Sequence, residues 1–371
     1  MDIDEAISSF CKYNDIDLDN SYTIRSERKY LSDFKDNVIK WADGFPDEET
    51  KNALLSILSK YEYVSVPKFQ DRMEEIFNEV MDFLSNNSSI NEKYGSIDID
   101  EILFITVESK YVSGSQEILS SFRYINQTVK QRNIVAEYDK ALEEESFLNS
   151  YKAVVLIDDV IGSGWTITVN AIETALKIIN HTVVPPVLLV CSAYCKGSHK
   201  NKKKNRIQKE FTKSINKYNQ DQSTILDAIF IFPLFKENIC GVFESQNDEY
   251  KCIEKYERLI DEEFRNDLAS QINSLPDEKE RQKEKAALDR LDYVMGYRNG
   301  ALGISFYYNT PNNTLSSFWL KTKTNIPPFH REEKHIEAIL DDLKKAKKKT
   351  DRSKYEAKRI DCEVEHSENK L

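Results

Sequence analysis

The chain has 371 residues, room for two domains or for one domain with large additions. Hydrophobic residues make up 40% and aromatic residues 11%, which suffices for a core, while a formal charge of −11 argues against a protein that coats nucleic acid over its whole surface. No run of about twenty apolar residues appears, the acidic start MDIDEAISSF carries no basic-then-apolar leader, and six cysteines are scattered without a framework, so a cytoplasmic protein with no membrane span is expected. Cys191 and Cys195 are the nearest pair and read as small core residues rather than metal ligands.

Residues 1–95 read as an N-terminal helical region. Leu31, Phe34, Val38 and Trp41 keep helical spacing. Pro46 precedes Asp47, Glu48 and Glu49, which suit the first turn of a helix striped by Leu54, Leu55 and Leu58. A third helix runs through Phe69, Met73, Ile76, Phe77, Val80 and Leu84, and SNNSS at 85–89 breaks it. No acid–base constellation stands out here, and the region is assigned to packing and partner contact. A strand is expected over 101–107, followed by Glu108 to Ser115 and a helix whose inner face is Ile118, Leu119, Phe122 and Ile125, with Ser115 as its cap. Ser113-Gly114-Ser115 with Lys110 beside it offers backbone N–H groups and an ammonium to an anion; a turn that only caps the helix would look the same. Arg132 to Glu137 reads as the next strand, and 138–151 as an acidic connection.

The centre of the chain is Val154-Val155-Leu156-Ile157-Asp158-Asp159-Val160-Ile161-Gly162-Ser163-Gly164-Trp165-Thr166. Four apolar residues bounded by charge read as a buried parallel strand, with Asp158 and Asp159 at its carboxyl end. A glycine and hydroxyl turn then opens a helix with Ile172, Ala175, Leu176 and Ile179 on one face. Such a turn presents free N–H groups and the positive end of the helix dipole to a phosphate. Carboxylates beside it suit sugar hydroxyls or a bridging metal. This arrangement resembles the phosphoribosyl-diphosphate (PRPP) motif of type I phosphoribosyltransferases, with Gly162 in place of the usual Thr and a bulky Trp165 in the loop.

The resemblance implies a type I phosphoribosyltransferase-like α/β fold, a parallel sheet flanked by helices, with an N-terminal helical segment and a C-terminal hood-like addition. It implies that Asp158 and Asp159 bind ribose hydroxyls and favour a cationic transition state, and that Gly162, Ser163, Gly164, Trp165 and Thr166 hold the 5′-phosphate. Lys110, Ser113, Gly114 and Ser115 would take the pyrophosphate, and Mg²⁺ would arrive with PRPP. The segment 138–151 falls where the family carries a mobile catalytic loop, although its acidity gives no support to a pyrophosphate contact.

Beyond the motif, Pro186 to Val190 continues the sheet and Ala228 to Leu234 is the last expected strand of a core spanning 96–240. Between them, 196–209 carries Lys196, His199, Lys200, Lys202, Lys203, Lys204, Arg206 and Lys209. This block reads as a solvated insertion, with a contact for nucleic acid or polyphosphate as the alternative. Residues 241–330 form the C-terminal region: a helical stretch over 247–294, then a glycine-containing run and Asn309-Thr310-Pro311-Asn312-Asn313-Thr314, ending in Trp319. Asn309, Asn312 and Asn313 offer amides to a polar planar ligand on the acceptor side; a turn pinned by its own side chains is the other reading. This ending resembles the PRTase-CE branch, phosphoribosyltransferase-like domains of bacterial conflict systems, some of them beside retron reverse transcriptases in phage defence. The charged tail 331–371 reads as an exposed helix fading into disorder.

The reading is thus a phosphoribosyltransferase-like effector that takes PRPP or a related ribose phosphate, a pentosyl transferase by chemistry. The resemblance implies a reverse transcriptase and its nucleic acid as partners and toxicity as the outcome. A PRPP- or nucleotide-sensing module without turnover and a nucleobase salvage enzyme are the alternatives. The residues do not single out an acceptor among a base, a nucleotide, a protein side chain and water.

Overall fold

The computed structural model describes residues 1–18, 31–106, 114–135, 150–161, 187–194, 243, 247–289, 291–297, 299–329 and 331. The N-terminal region is built from α1 (Ile3–Asn14), α2 (Phe34–Asp43), α3 (Glu48–Leu58), α4 (Val66–Asn86) and α5 (Ser88–Tyr94). Side-chain caps set the starts of all of these but α2: Asp2 accepts from Glu5 N–H, Asp47 from Thr50 N–H, Ser65 from Lys68 N–H and Asn87 from Ile90 N–H. Asn87 therefore does more than break a helix, because it also starts the next one.

The sequence reads 1–95 as helix throughout, but a strand, β1 (Glu62–Val64), lies between α3 and α4. It pairs in parallel with a second strand more than two hundred residues later, β6 (Ile304–Phe306), in the register Glu62 to Ile304 and Val64 to Phe306. The N-terminal helices and the C-terminal region consequently share one hydrophobic core. Its spine is a run of rings. Phe34 stacks on Phe10 at 4.6 Å, Phe329 lies 5.4 Å from Phe34 and 4.4 Å from Tyr61, and Phe318 bridges Tyr61 at 4.8 Å and Trp41 at 4.7 Å.

The second unit is a parallel sheet of β2 (Ile102–Thr106), β3 (Ile134–Val135), β4 (Ala153–Ile161) and β5 (Val187–Tyr194), in the order β3-β2-β4-β5. Helix α6 (Gly114–Ile125) covers one face with Ile118, Leu119 and Phe122. Phe122 lies 5.1 Å from Phe104 of β2 and 5.6 Å from Phe77 of α4, so α4 joins the sheet to the helical unit. This mixed, parallel α/β architecture agrees with a phosphoribosyltransferase-like fold. The strand expected at 228–234 and the helix expected after Thr166 lie outside the described residues.

The helical stretch expected over 247–294 is two helices, α7 (Asp248–Asn273) and α8 (Glu278–Leu288), separated at Pro276. No described helix is long and apolar enough to cross a membrane.

Candidate functional site at the carboxyl edge of the parallel sheet

The amino edge of the sheet is closed by its own side chains. Lys152 N–H donates to the Glu101 carbonyl at 2.8 Å, and its ammonium lies 2.7 Å from the Glu101 carboxylate. Asp100 receives Lys130 at 2.6 Å and Arg132 at 2.7 Å. The Lys130 hydrogen bond holds the Asp100 carboxyl below its usual range, and Lys152 does the same for Glu101. Asn133 Nδ2 donates to the carbonyls of Ile99 and Ile102, and the Tyr151 hydroxyl donates to the Arg132 carbonyl. Apart from the buried Asp100 Oδ1, the polar groups named here are engaged with one another, and ligands of open α/β sheets generally sit at the opposite, carboxyl edge.

At that edge β4 is the inner strand. Ala153 to Ile157 are buried, as expected for a strand covered on both faces. The strand does not end at Ile157, where the sequence places its end, but runs through both acids to Ile161. The reason is its neighbour. β5 stays in register, pairing Asp158 with Cys191, Val160 with Ala193 and Ile161 with Tyr194, so those residues keep ladder partners. Val160 and Ile161 are also β-branched and favour the extended chain. On the other side, the described pairing with β2 runs from Ile102 opposite Ala153 to Thr106 opposite Ile157, the residue before Asp158. Asp158 is only 5% exposed and follows Val154 and Leu156 in the strand's alternation. Asp159 is the next residue of the same strand.

The remaining expected contacts are distributed unevenly. Gly162, Ser163, Gly164, Trp165 and Thr166, together with Lys110 and Ser113, lie outside the described residues. Gly114 and Ser115 are described as the first two residues of α6, so Ser115 sits inside the helix rather than capping it. β2 and β4 are hydrogen-bonded neighbours, so the chain leaving Thr106 toward α6 does so at the edge where β4 carries its acids.

Asn309, Asn312 and Asn313 belong to the β1–β6 unit, and their described partners do too. Asn313 is 7% exposed; its Nδ2 donates to the Tyr297 carbonyl, and its own carbonyl accepts from Leu302 N–H. The Asn312 carbonyl accepts from Tyr297 N–H at 2.7 Å. Thr310 exchanges a hydrogen bond with Ser305, which meets the Tyr61 hydroxyl, and Thr314 donates to the Ile304 carbonyl. Gly296, at φ +76°, lies so close to Asn313 that a Cβ would stand 2.4 Å from its carbonyl oxygen. The block is bound to its surroundings largely through internal contacts, and Asn309 alone of the three keeps a buried Oδ1 with no partner among the described residues.

Two features escape a sequence reading. One is the β1–β6 pairing. The other is Glu257, fully buried on α7 and accepting N–H groups from Ser316 at 2.9 Å and Ser317 at 2.8 Å. Its signal was present: Ile253, Tyr256, Glu257 and Ile260 follow helical core spacing, with an acid in one slot. Among the described residues no group of three or more His, Cys, Asp or Glu is placed to hold a metal ion. The Asp158 carboxylate is an oxygen donor of the kind Mg²⁺ accepts, and that ion commonly takes its other oxygens from substrate and water.

Comparison with curated proteins and with solved structures finds no match. A family model, PRTase-CE, matches residues 38–331, which takes in the second half of α2 and everything from α3 to β6, with the acidic pair and the Asn-Thr-Pro block together. The chain therefore belongs to the PRTase-CE family and is phosphoribosyltransferase-like.

Proposed function

We propose that this protein binds PRPP, or a related ribose phosphate, at the carboxyl edge of β4 and acts as the effector of a retron-type bacterial anti-phage system. The observation that carries the reading is Asp158, buried in the inner strand of a parallel sheet directly after the residues that pair with β2, in a chain of the PRTase-CE family. Asp158 and Asp159 hydrogen-bond the ribose hydroxyls. Gly162 to Thr166 take the 5′-phosphate on backbone N–H groups. Lys110 and Ser113 to Ser115 take the diphosphate.

In the reaction the bond from C1′ to the diphosphate oxygen breaks, and the diphosphate leaves with the electron pair. The acceptor nucleophile bonds to C1′ and gives up a proton. Positive charge on the ring during this exchange is favoured by the nearby carboxylates, and positioning contributes much of the rest. Mg²⁺ carried by the diphosphate, with Asp158 as the described carboxylate at this edge, would neutralise the leaving group. A reverse transcriptase and its nucleic acid are the partners that restrain the effector until infection, with the basic segment 196–209 as a nucleic-acid contact.

Replacing Asp158 and Asp159 by Asn tests this. Pyrophosphate release from PRPP and toxicity in cells are expected to disappear together; toxicity that persists without pyrophosphate release would remove the chemistry. The burial of Asp158 favours a second reading, a PRPP or nucleotide sensor without turnover. Calorimetry showing saturable PRPP binding with no pyrophosphate formed over hours would select it.

A further inference from the structure

We propose that Glu257 is a proton-operated latch that fastens the turn Ser316–Phe318 to α7 and, through it, the C-terminal segment to the N-terminal helices. The inference is independent of the ribose-phosphate reading.

The geometry is that of a carboxylate inserted into a backbone. Each of its oxygens takes one N–H, from Ser316 and from Ser317, and the Met295 N–H adds to them. Among the described residues no cation stands at ion-pair distance. An acid removed from water without a counter-charge resists ionisation even when N–H groups point at it. Burial accordingly pushes the Glu257 carboxyl up to about 7, against the pull of those donors.

The surroundings add little opposing charge. On α7, Tyr256 precedes it with a phenol raised by burial and by Glu257 itself, and Asp261 one turn on is taken by Arg265 and by the Tyr293 N–H. The turn contributes Ser316, whose hydroxyl donates to the Tyr293 carbonyl. From α3, packed on α7, Thr50 meets Cys252 and Lys51 pairs with Glu48. From α8, Glu284 is buried and Arg281 is held by Glu278 and the Leu275 carbonyl.

What the latch holds is Phe318, the ring between Tyr61 and Trp41. When the turn lifts, Glu257 meets water and returns toward an ordinary carboxylate, so opening releases a proton over the range between the two values. Sign follows directly: the closed form is favoured at low pH, and opening grows as pH rises from about 4.5 to about 7, then levels off.

Hydrogen exchange followed by mass spectrometry on peptides spanning 314–320, corrected for intrinsic exchange, reads the opening constant. In the wild-type chain it is expected to rise on the order of fiftyfold from pH 5 to pH 8, most of it below pH 7. Amides of β4 serve as the control and should lack the step. Glu257→Gln cannot titrate, so its profile should be flat, whatever its offset. A flat wild-type profile, a profile that falls with pH, or a step retained in Glu257→Gln would each overturn the latch. If Glu257→Gln does not fold, the wild-type profile decides alone.

Discussion

Asn14, the last residue of α1, is buried, and its amide ties α1 to the start of β1 while also bonding back into α1. Its Nδ2 donates to the carbonyls of Phe10 at 3.0 Å and Tyr61 at 2.8 Å, and its Oδ1 accepts from Tyr63 N–H at 2.7 Å. Asn14→Ala would leave a buried N–H and a buried carbonyl unmatched and is expected to cost about 2–4 kcal/mol. Asn14→Asp keeps the acceptor for Tyr63 but turns an oxygen toward two carbonyls, so it should destabilise at least as much. Urea unfolding of both variants checks the order, and an aspartate milder than the alanine would contradict the assigned amide orientation. Side chains of this kind set the limit on reading sites from sequence. The place of Asp158 behind the apolar run of β4 was legible because four apolar residues and a pair of acids mark a buried strand locally. The roles of Asn313 and Thr310 were not, because spacing does not show that Tyr297 and Ser305 fold back onto them or that Tyr61 joins Ser305 from the N-terminal region.

Elements with many residues of one period were legible, and short ones were not. The stripes of α2, α3 and α4 and the apolar runs of β2 and β4 appear where periodicity puts them, with ends moved by a few residues. β1 and β6 have three residues each, too few for any period to register, and they exist because each gives the other a ladder. The end of β4 was misplaced for a related reason, since what extends it to Ile161 is chiefly β5 alongside, which the β-branched Val160 and Ile161 only assist. At this scale α6 is the joint between the two units. Phe122 is buried between Phe104 of the sheet and Phe77 of α4. Phe122→Ala is expected to cost about 3–5 kcal/mol. Because the ring touches both sides, hydrogen exchange should rise in α4 and in β2 together. Loosening confined to one of them would mean that the units are not coupled through α6.

At the scale of the whole molecule, the chain's beginning and the region up to Arg331 are one body. β1 takes its partner from β6, and Phe10, Phe34 and Tyr61 meet Phe329 and Phe318. The parallel sheet is formed by the chain between them. Pairings of such long range carry a large loop-closure cost and give no local signature, so the helical stretch 1–95 looks self-sufficient in sequence while its core is shared. Two measurements follow from the shared core. Phe329→Ala removes the ring nearest Tyr61 and should cost about 3–5 kcal/mol. Its effect should appear as faster amide exchange in α1 and β1, more than 260 residues away in sequence. Expressed alone, residues 1–95 would present the inner faces of Phe10, Phe34 and Tyr61 to water. Circular dichroism is expected to show less helix per residue than α1 to α5 have in the full chain, and no cooperative thermal transition. A sharp transition in that fragment would mean that the N-terminal helices carry their own core and that the ring contacts with Phe318 and Phe329 only decorate it.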